Sequence, residues 1–254
     1  MIYLAGTSDV WAQLVEVDRS GRETVILSRD DRYQHPRWSP DGGRIAMDLK
    51  GETGSQIWIY DVASETLSQL TVEGSNVRPT WSPDGTRVAY FSTLAGVSTL
   101  WWMMADKSGQ PERVVPGEPA TGSVGTAFWT RDGSSIVVHG IADTSRGDFD
   151  IFAVSTGDDR TREPVAATPA QEETGSVSPD GKWLAYGSDE GGRWQVYVRP
   201  FRGPGGRTLI STGTAESPLW ASNTEVVYAV GSQSLTAATL EFSPTVRVVE
   251  RTRL

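Results

Sequence analysis

The 254-residue chain has no cysteine and only two histidines, His35 and His139, far apart in sequence. The missing thiols exclude disulfides and thiolate metal sites. Two isolated imidazoles leave no zinc signature, so no metal or cofactor is expected. No apolar run approaches the roughly 18 residues that a membrane-crossing helix needs. The opening stretch MIYLAGTSDVW lacks the basic start and long apolar segment of a secretory signal, so any targeting element would lie outside this sequence. Helical periodicity is missing too: no segment longer than a turn or two carries a 3.6-residue apolar stripe. Basic residues are the minority, 23 Lys and Arg against 32 Asp and Glu. The resulting net charge of −9 argues against a nucleic-acid partner, which would need a basic face.

What the chain has in quantity is tryptophan, ten residues, and repetition. WSPDGGRIAM from Trp38 returns as WSPDGTRVAY from Trp81 and, altered, as WTRDGSSIVV from Trp129. It returns again as VSPDGKWLAY from Val177 and WASNTEVVYA from Trp220, a period of 43 to 48 residues. Within each unit SPDG is a turn: proline presets the backbone, aspartate bonds its own main chain, and glycine accepts positive φ. Runs rich in Val, Tyr, Ile and Phe follow, such as TRVAYFS and QIWIYDV, and read as strands. Each unit is four short strands joined by hairpins.

Four-stranded units at this period are the blades of a β-propeller, because one such sheet cannot cover both of its own faces. The spacing predicts an all-β, six-bladed propeller forming a single domain over 1–254. Its blades fall near 1–30, 33–72, 76–116, 124–168, 173–212 and 215–252. The first blade has segments for strands two to four and lacks its innermost strand, so the chain reads as a fragment or as a ring with one three-stranded blade. Trp38, Trp81, Trp129 and Trp220 are expected to fill the space between blades. Asp41 with Gly42, Asp84 with Gly85 and Asp180 with Gly181 are expected to make the turns. Thr130, Arg131 and Val177 depart from the repeat and are expected to loosen their blades, and WASNTE to turn differently.

The repeat, followed by IWIYDV and QLT, resembles the TolB-type, WD-like propeller repeats of bacteria over nearly the whole chain. VDRSGRE, SPDGKWLAYGSDEGGRWQVYVRPF and GPGG look closest to propellers fused behind bacterial serine/threonine protein kinase domains. That resemblance implies a non-catalytic sensing or scaffold portion of a signalling protein. It also implies an extracytoplasmic location if a kinase and membrane span precede it, and a cytoplasmic one otherwise. No Gly-rich nucleotide loop, H-R-D or D-F-G is present, so the kinase itself is absent.

Catalytic motifs are equally scarce. There is no G-x-S-x-G elbow for a hydrolase, and a Ser-His-Asp triad would have to use His35 or His139. The acidic turns lack the alternating oxygens of a calcium loop. GPGG at 203–206 precedes no helix and reads as a hairpin loop rather than a phosphate cradle.

One constellation remains. Innermost strands line a propeller's channel, and aligning the repeats brings Gln34, His35 and Arg37, then Asn76 and Arg78, to its mouth. Thr126, Glu172, Glu173, Thr174, Glu216 and Ser217 follow from the later blades. Donors on early blades and acceptors on late ones read either as a solvated channel or as a pocket for a small polar ligand or protein segment. In the second reading His35, Arg37 and Arg78 face Glu173 and Glu216, which suits a peptide terminus or a sugar. The alternative function is a propeller enzyme, a hydrolase or lyase, working at the same mouth.

Overall fold

A computed structural model describes residues 2–5, 12–18, 21–114, 125–141, 149–231 and 234–254. It divides into two compact units, Met1–Ala120 and Thr121–Leu254. Every regular element among the described residues is a strand.

In the first unit, β1 (Ile2–Ala5), β2 (Ala12–Val17) and β3 (Glu23–Asp31) form a three-stranded sheet. A four-stranded sheet follows, from β4 (Tyr33–Trp38), β5 (Arg44–Lys50), β6 (Ser55–Asp61) and β7 (Thr66–Gln69). The third contains β8 (Ser75–Trp81), β9 (Arg87–Leu94), β10 (Val97–Met104) and the two-residue β11 (Glu112–Arg113). Strand β8 packs on β4, β5 and β6 of the sheet before it, whereas β4 meets the sheet before it mainly through β1 and then β2. Strand β1 therefore stands where the second strand of a full sheet stands, and among the described residues the first sheet has no innermost strand. Positions 19 and 20, in the turn after β2, lie outside the described residues.

The second unit holds three four-stranded sheets. The first is β12 (Ala127–Trp129), β13 (Ser135–Ile141), β14 (Phe149–Ser155) and β15 (Arg162–Ala166). The second is β16 (Glu172–Val177), β17 (Trp183–Ser188), β18 (Gln195–Pro200) and β19 (Thr208–Leu209). The last is β20 (Glu216–Trp220), β21 (Glu225–Val230), β22 (Ser234–Glu241) and β23 (Arg247–Arg253). Each sheet runs in chain order with antiparallel neighbours.

The core lies between sheets rather than inside them. Ala46, Ile57, Ile59 and Leu70 of one sheet meet Trp81, Val88, Tyr90 and Met103 of the next. In the second unit Ala185, Val196 and Val198 meet Trp220, Val226 and Tyr228 in the same way. Middle strands are consequently covered on both faces: β5 and β17 each bury five consecutive residues, and the two-residue alternation of a half-exposed strand disappears. Trp81 and Trp220 are buried, and Trp38 and Trp129 are half-buried. Each buried indole also donates a hydrogen bond to the preceding sheet, Trp81 Nε1 to Arg37 O and Trp220 Nε1 to Ser176 O, both at 3.0 Å.

The repeated turn is a closed hydrogen-bonded unit. Ser82 Oγ donates to Asp84 Oδ1 at 2.6 Å and accepts from Arg87 N at 2.9 Å, while Thr86 N donates to Asp84 at 3.0 Å. Gly85, at φ +68°, donates to Ser82 O. Ser39 with Asp41 and Ser178 with Asp180 repeat the pattern. The third copy, read from sequence as loosened, keeps it: Thr130 Oγ1 donates to Asp132 Oδ1 at 2.7 Å and accepts from Ser135 N at 3.0 Å. A threonine hydroxyl supplies the same donor and acceptor as serine, so the substitution changes no bond in the turn. The last copy turns differently, closing through Ala221 N and Ser222 N on Glu225 O.

Candidate functional site

The first strand of four of these sheets carries a β-bulge at one place. The register slips between Gln34 and Arg37, Val77 and Thr80, Glu173 and Ser176, and Glu216 and Leu219. Three residues before the repeat's first position the backbone turns left-handed, at His35 (φ 48°), Arg78 (φ 56°), Thr174 (φ 51°) and Ser217 (φ 55°). Such φ values are strained for side chains with a Cβ, and bulges of this kind re-aim side chains beside functional sites. Two residues earlier, Tyr33, Asn76, Glu172 and Ala215 all point inward and are buried.

In the first unit the bulges gather around Asp48, a carboxylate with no exposed surface on β5. Its Oδ1 lies 2.9 Å from His35 Nδ1 and accepts the Arg78 backbone N–H at 3.1 Å. Its Oδ2 is buried without a hydrogen bond. Asp48 thus joins two neighbouring sheets by capping the strained N–H of the next bulge. The His35 side chain keeps 38% exposure. Arg37 keeps exposed surface, and its Nη1 donates to Pro36 O at 3.2 Å. Burial first, then the nearby Arg78 charge, holds the Arg37 guanidinium below its usual value, with the Asp48 carboxylate opposing. The Arg37 guanidinium and the His35 imidazole therefore lie close to one carboxylate, and the Arg78 charge lies close to Arg37. Such a place favours an incoming anion, which two parallel N–H donors of a guanidinium hold well.

The second unit repeats the device with different chemistry. His139 occupies the position of Asp48 on its own sheet and is 8% exposed. Its Nδ1 lies 3.2 Å from Thr126 N, 3.0 Å from Thr126 Oγ1 and 3.4 Å from Thr174 N, the strained residue of the next sheet. Both backbone groups are donors, so the network assigns the imidazole proton to Nε2. Gly125 makes this approach possible, since a Cβ there would sit 2.3 Å from His139 O. Glu173 and Glu216 hold equivalent positions on the adjacent first strands β16 and β20, the former half-buried and the latter exposed.

Two residues read from sequence as mouth residues lie elsewhere. Asn76 is 1% exposed and bonded to Gln56 and Glu73, and Glu172 is fully buried against Thr168 and Asp150. Both sit at the inward position of the strand, before the bulge reverses the side-chain alternation. Asp48 is the residue that sequence reasoning missed. Its signal was an acid inside RIAMDL, where the later copies have Phe91, His139 and Gly187. The turn aspartates spend their oxygens on Ser, Thr and backbone donors, and hydrogen bonds from Ser39, Ser82 and Thr130 hold Asp41, Asp84 and Asp132 below the usual carboxylate range. Among the described residues no three His, Asp or Glu side chains are grouped to hold a metal ion.

Six sheets of sequential antiparallel strands, each covering the next within its unit, define a six-bladed β-propeller with a three-stranded first blade. Residues 1–139 match the family described as the TolB beta propeller domain, and the chain belongs to that family. Among solved structures it is similar to TolB from Acinetobacter baumannii, with 20% identity and a TM-score of 0.76 over 94% of this chain. The chain spans 60% of the length of that protein. It is similar to a putative TolB from Agrobacterium tumefaciens, with 18% identity, a TM-score of 0.69, and coverage of 93% of this chain and 87% of that one. An oligogalacturonate lyase from Vibrio parahaemolyticus shares the fold at 10% identity, with a TM-score of 0.66 and coverage of 99% and 73%. No curated protein compared with the chain matches it in sequence.

Proposed function

We propose that the protein is a non-catalytic binding propeller, one part of a larger bacterial signalling protein, that takes a carboxylate of a peptide terminus or sugar on His35, Arg37 and Arg78. The observation that carries this reading is the cluster round Asp48. The His35 imidazole and the Arg37 guanidinium lie near one buried carboxylate, the Arg78 charge lies near Arg37, and His35 and Arg78 sit on strained bulges. Glu173 and Glu216, on β16 and β20 of the second unit, are acceptors of the kind that suit an ammonium or a hydroxyl. The chain's net charge of −9 disfavours a polyanion. Family membership supports a binding role, and the resemblance to kinase-fused propellers supports the signalling context. Among the described residues no helix is long and apolar enough to cross a membrane.

The test is an NMR titration of the isotope-labelled protein with N-acetylated dipeptides, as free carboxylates and as C-terminal amides. The proposal expects saturable shifts at His35 and Arg78 with the carboxylates and none with the amides. Equal response to both would overturn it. The His35–Asp48 pair favours a second reading, because a carboxylate-oriented imidazole is also the start of an acid–base site. Turnover of a peptide or oligouronate that disappears in His35→Ala would favour the enzyme.

A further inference from the structure

A cavity lies in the first unit, between its two four-stranded sheets, and shares no residue with the cluster round Asp48. Its volume is roughly 430 Å³, within the range of small-molecule sites. Leu70, Tyr90, Trp101, Met103 and Leu94 supply an apolar and aromatic lining, and Asn76 reaches it from β8. Strand β11 has only two residues, so residues 107–111 run past this space rather than covering it with a full outer strand.

Two polar groups in the lining are left over. Gln56 Nε2 donates to Gly74 O at 2.7 Å, which fixes Gln56 Oε1 as an acceptor. That oxygen accepts from Asn76 Nδ2 at 2.9 Å, and Nδ2 gives its other hydrogen to Glu73 O at 2.7 Å. The Asn76 amide cannot flip without breaking both bonds. Its Oδ1 is buried with no hydrogen-bond partner, on a side chain that is 1% exposed. Tyr90 is 3% exposed, and burial alone pushes its hydroxyl up to about 12. At the mouth Glu73 and Lys107 carry opposite charges, which favours an uncharged occupant.

We infer that this cavity binds a small neutral aromatic molecule carrying an N–H or O–H donor, its ring on Trp101 and Met103 and its donor on Asn76 Oδ1. The Tyr90 hydroxyl answers a second polar atom of the same molecule. Indole is the probe and 1-methylindole, which lacks the donor, is the control. The chain has four methionines, so methyl-¹³C-methionine NMR reads the site through Met103. Indole is expected to shift the Met103 methyl saturably, and 1-methylindole to bind at least about tenfold more weakly, the loss of about one hydrogen bond. Leu94→Trp, which blocks the mouth from a partly exposed position, is expected to abolish the shift. Tyr90→Phe, which keeps the ring, is expected to weaken binding of phenol, a probe with both donor and acceptor. No saturable shift within indole's solubility, equal affinity for the two indoles, or binding that persists in Leu94→Trp at an unchanged melting temperature would each overturn the inference.

Discussion

Replacing Trp81 with alanine removes the largest side chain from the core between the second and third sheets. The indole is 6% exposed, and it packs with Ile57, Ile59, Leu70, Val88 and Met103. Arg44 lies over its ring at 4.7 Å, and its Nε1 donates to Arg37 O at 3.0 Å. Truncating a buried aromatic of this size costs about 3–5 kcal/mol. The lost hydrogen bond adds about 1 kcal/mol. For a chain of this length each kcal/mol lowers the melting midpoint by about 2–4 °C, so Trp81→Ala should fall by roughly 8–24 °C. Trp81→Phe keeps most of the packing and loses the N–H, and should cost only about 1–2 kcal/mol. Differential scanning calorimetry of both variants is the assay. A midpoint for Trp81→Ala within about 2 °C of the parent would refute an inter-sheet role.

Glu172 gives a pH test: burial first, then the Asp150 charge, raises its pKa against the opposing Thr168 hydrogen bonds. The folded state then holds a proton that the unfolded chain releases near its ordinary value of about 4.3, so stability falls as pH rises from there to the folded value and is flat above it. Glu172→Gln should flatten that decline in melts taken at stepped pH, and an unchanged slope would count against it. Asp84 has the opposite sign, since the Ser82 hydroxyl, the Thr86 N–H and the Thr86 hydroxyl hold its pKa down. Its stabilisation is present above the ordinary carboxylate value and lost as pH falls through the lowered one. Asp84→Ala should therefore cost about 1 kcal/mol near neutral pH and nothing in strong acid, and an equal difference at both would show the carboxylate is irrelevant.

The fold was legible because the repeat states it five times. SPDG announces three of the five first hairpins, and the segment before Trp38 announces strands two to four of a sheet in which three strands are described. Placement at the site was less legible, for a physical reason. A bulge inserts one residue, so simple alternation cannot say which of two neighbours turns inward. Asn76 and Glu172 were misplaced for that reason, while His35 and Arg78, on the bulges themselves, do come together. Asp48 went unseen because its partners lie 13 and 30 residues away, His35 brought in by the pairing of β4 with β5 and Arg78 by the packing of one sheet on the next. The cavity beside Asn76 was invisible for the same reason, since its walls belong to separate sheets.

The account rests most directly on Arg78, whose backbone N–H donates to Asp48 and whose guanidinium is the group proposed to hold the ligand carboxylate. Isothermal titration of an N-acetylated dipeptide carboxylate into Arg78→Ala, beside a thermal melt of the same sample, separates the two roles. The prediction is at least a tenfold loss of affinity, about 1.4 kcal/mol, because a charge-assisted bidentate contact is gone, with a melting temperature nearly unchanged. Affinity equal to the parent's in a protein that melts normally would contradict the account and place any ligand away from these bulges.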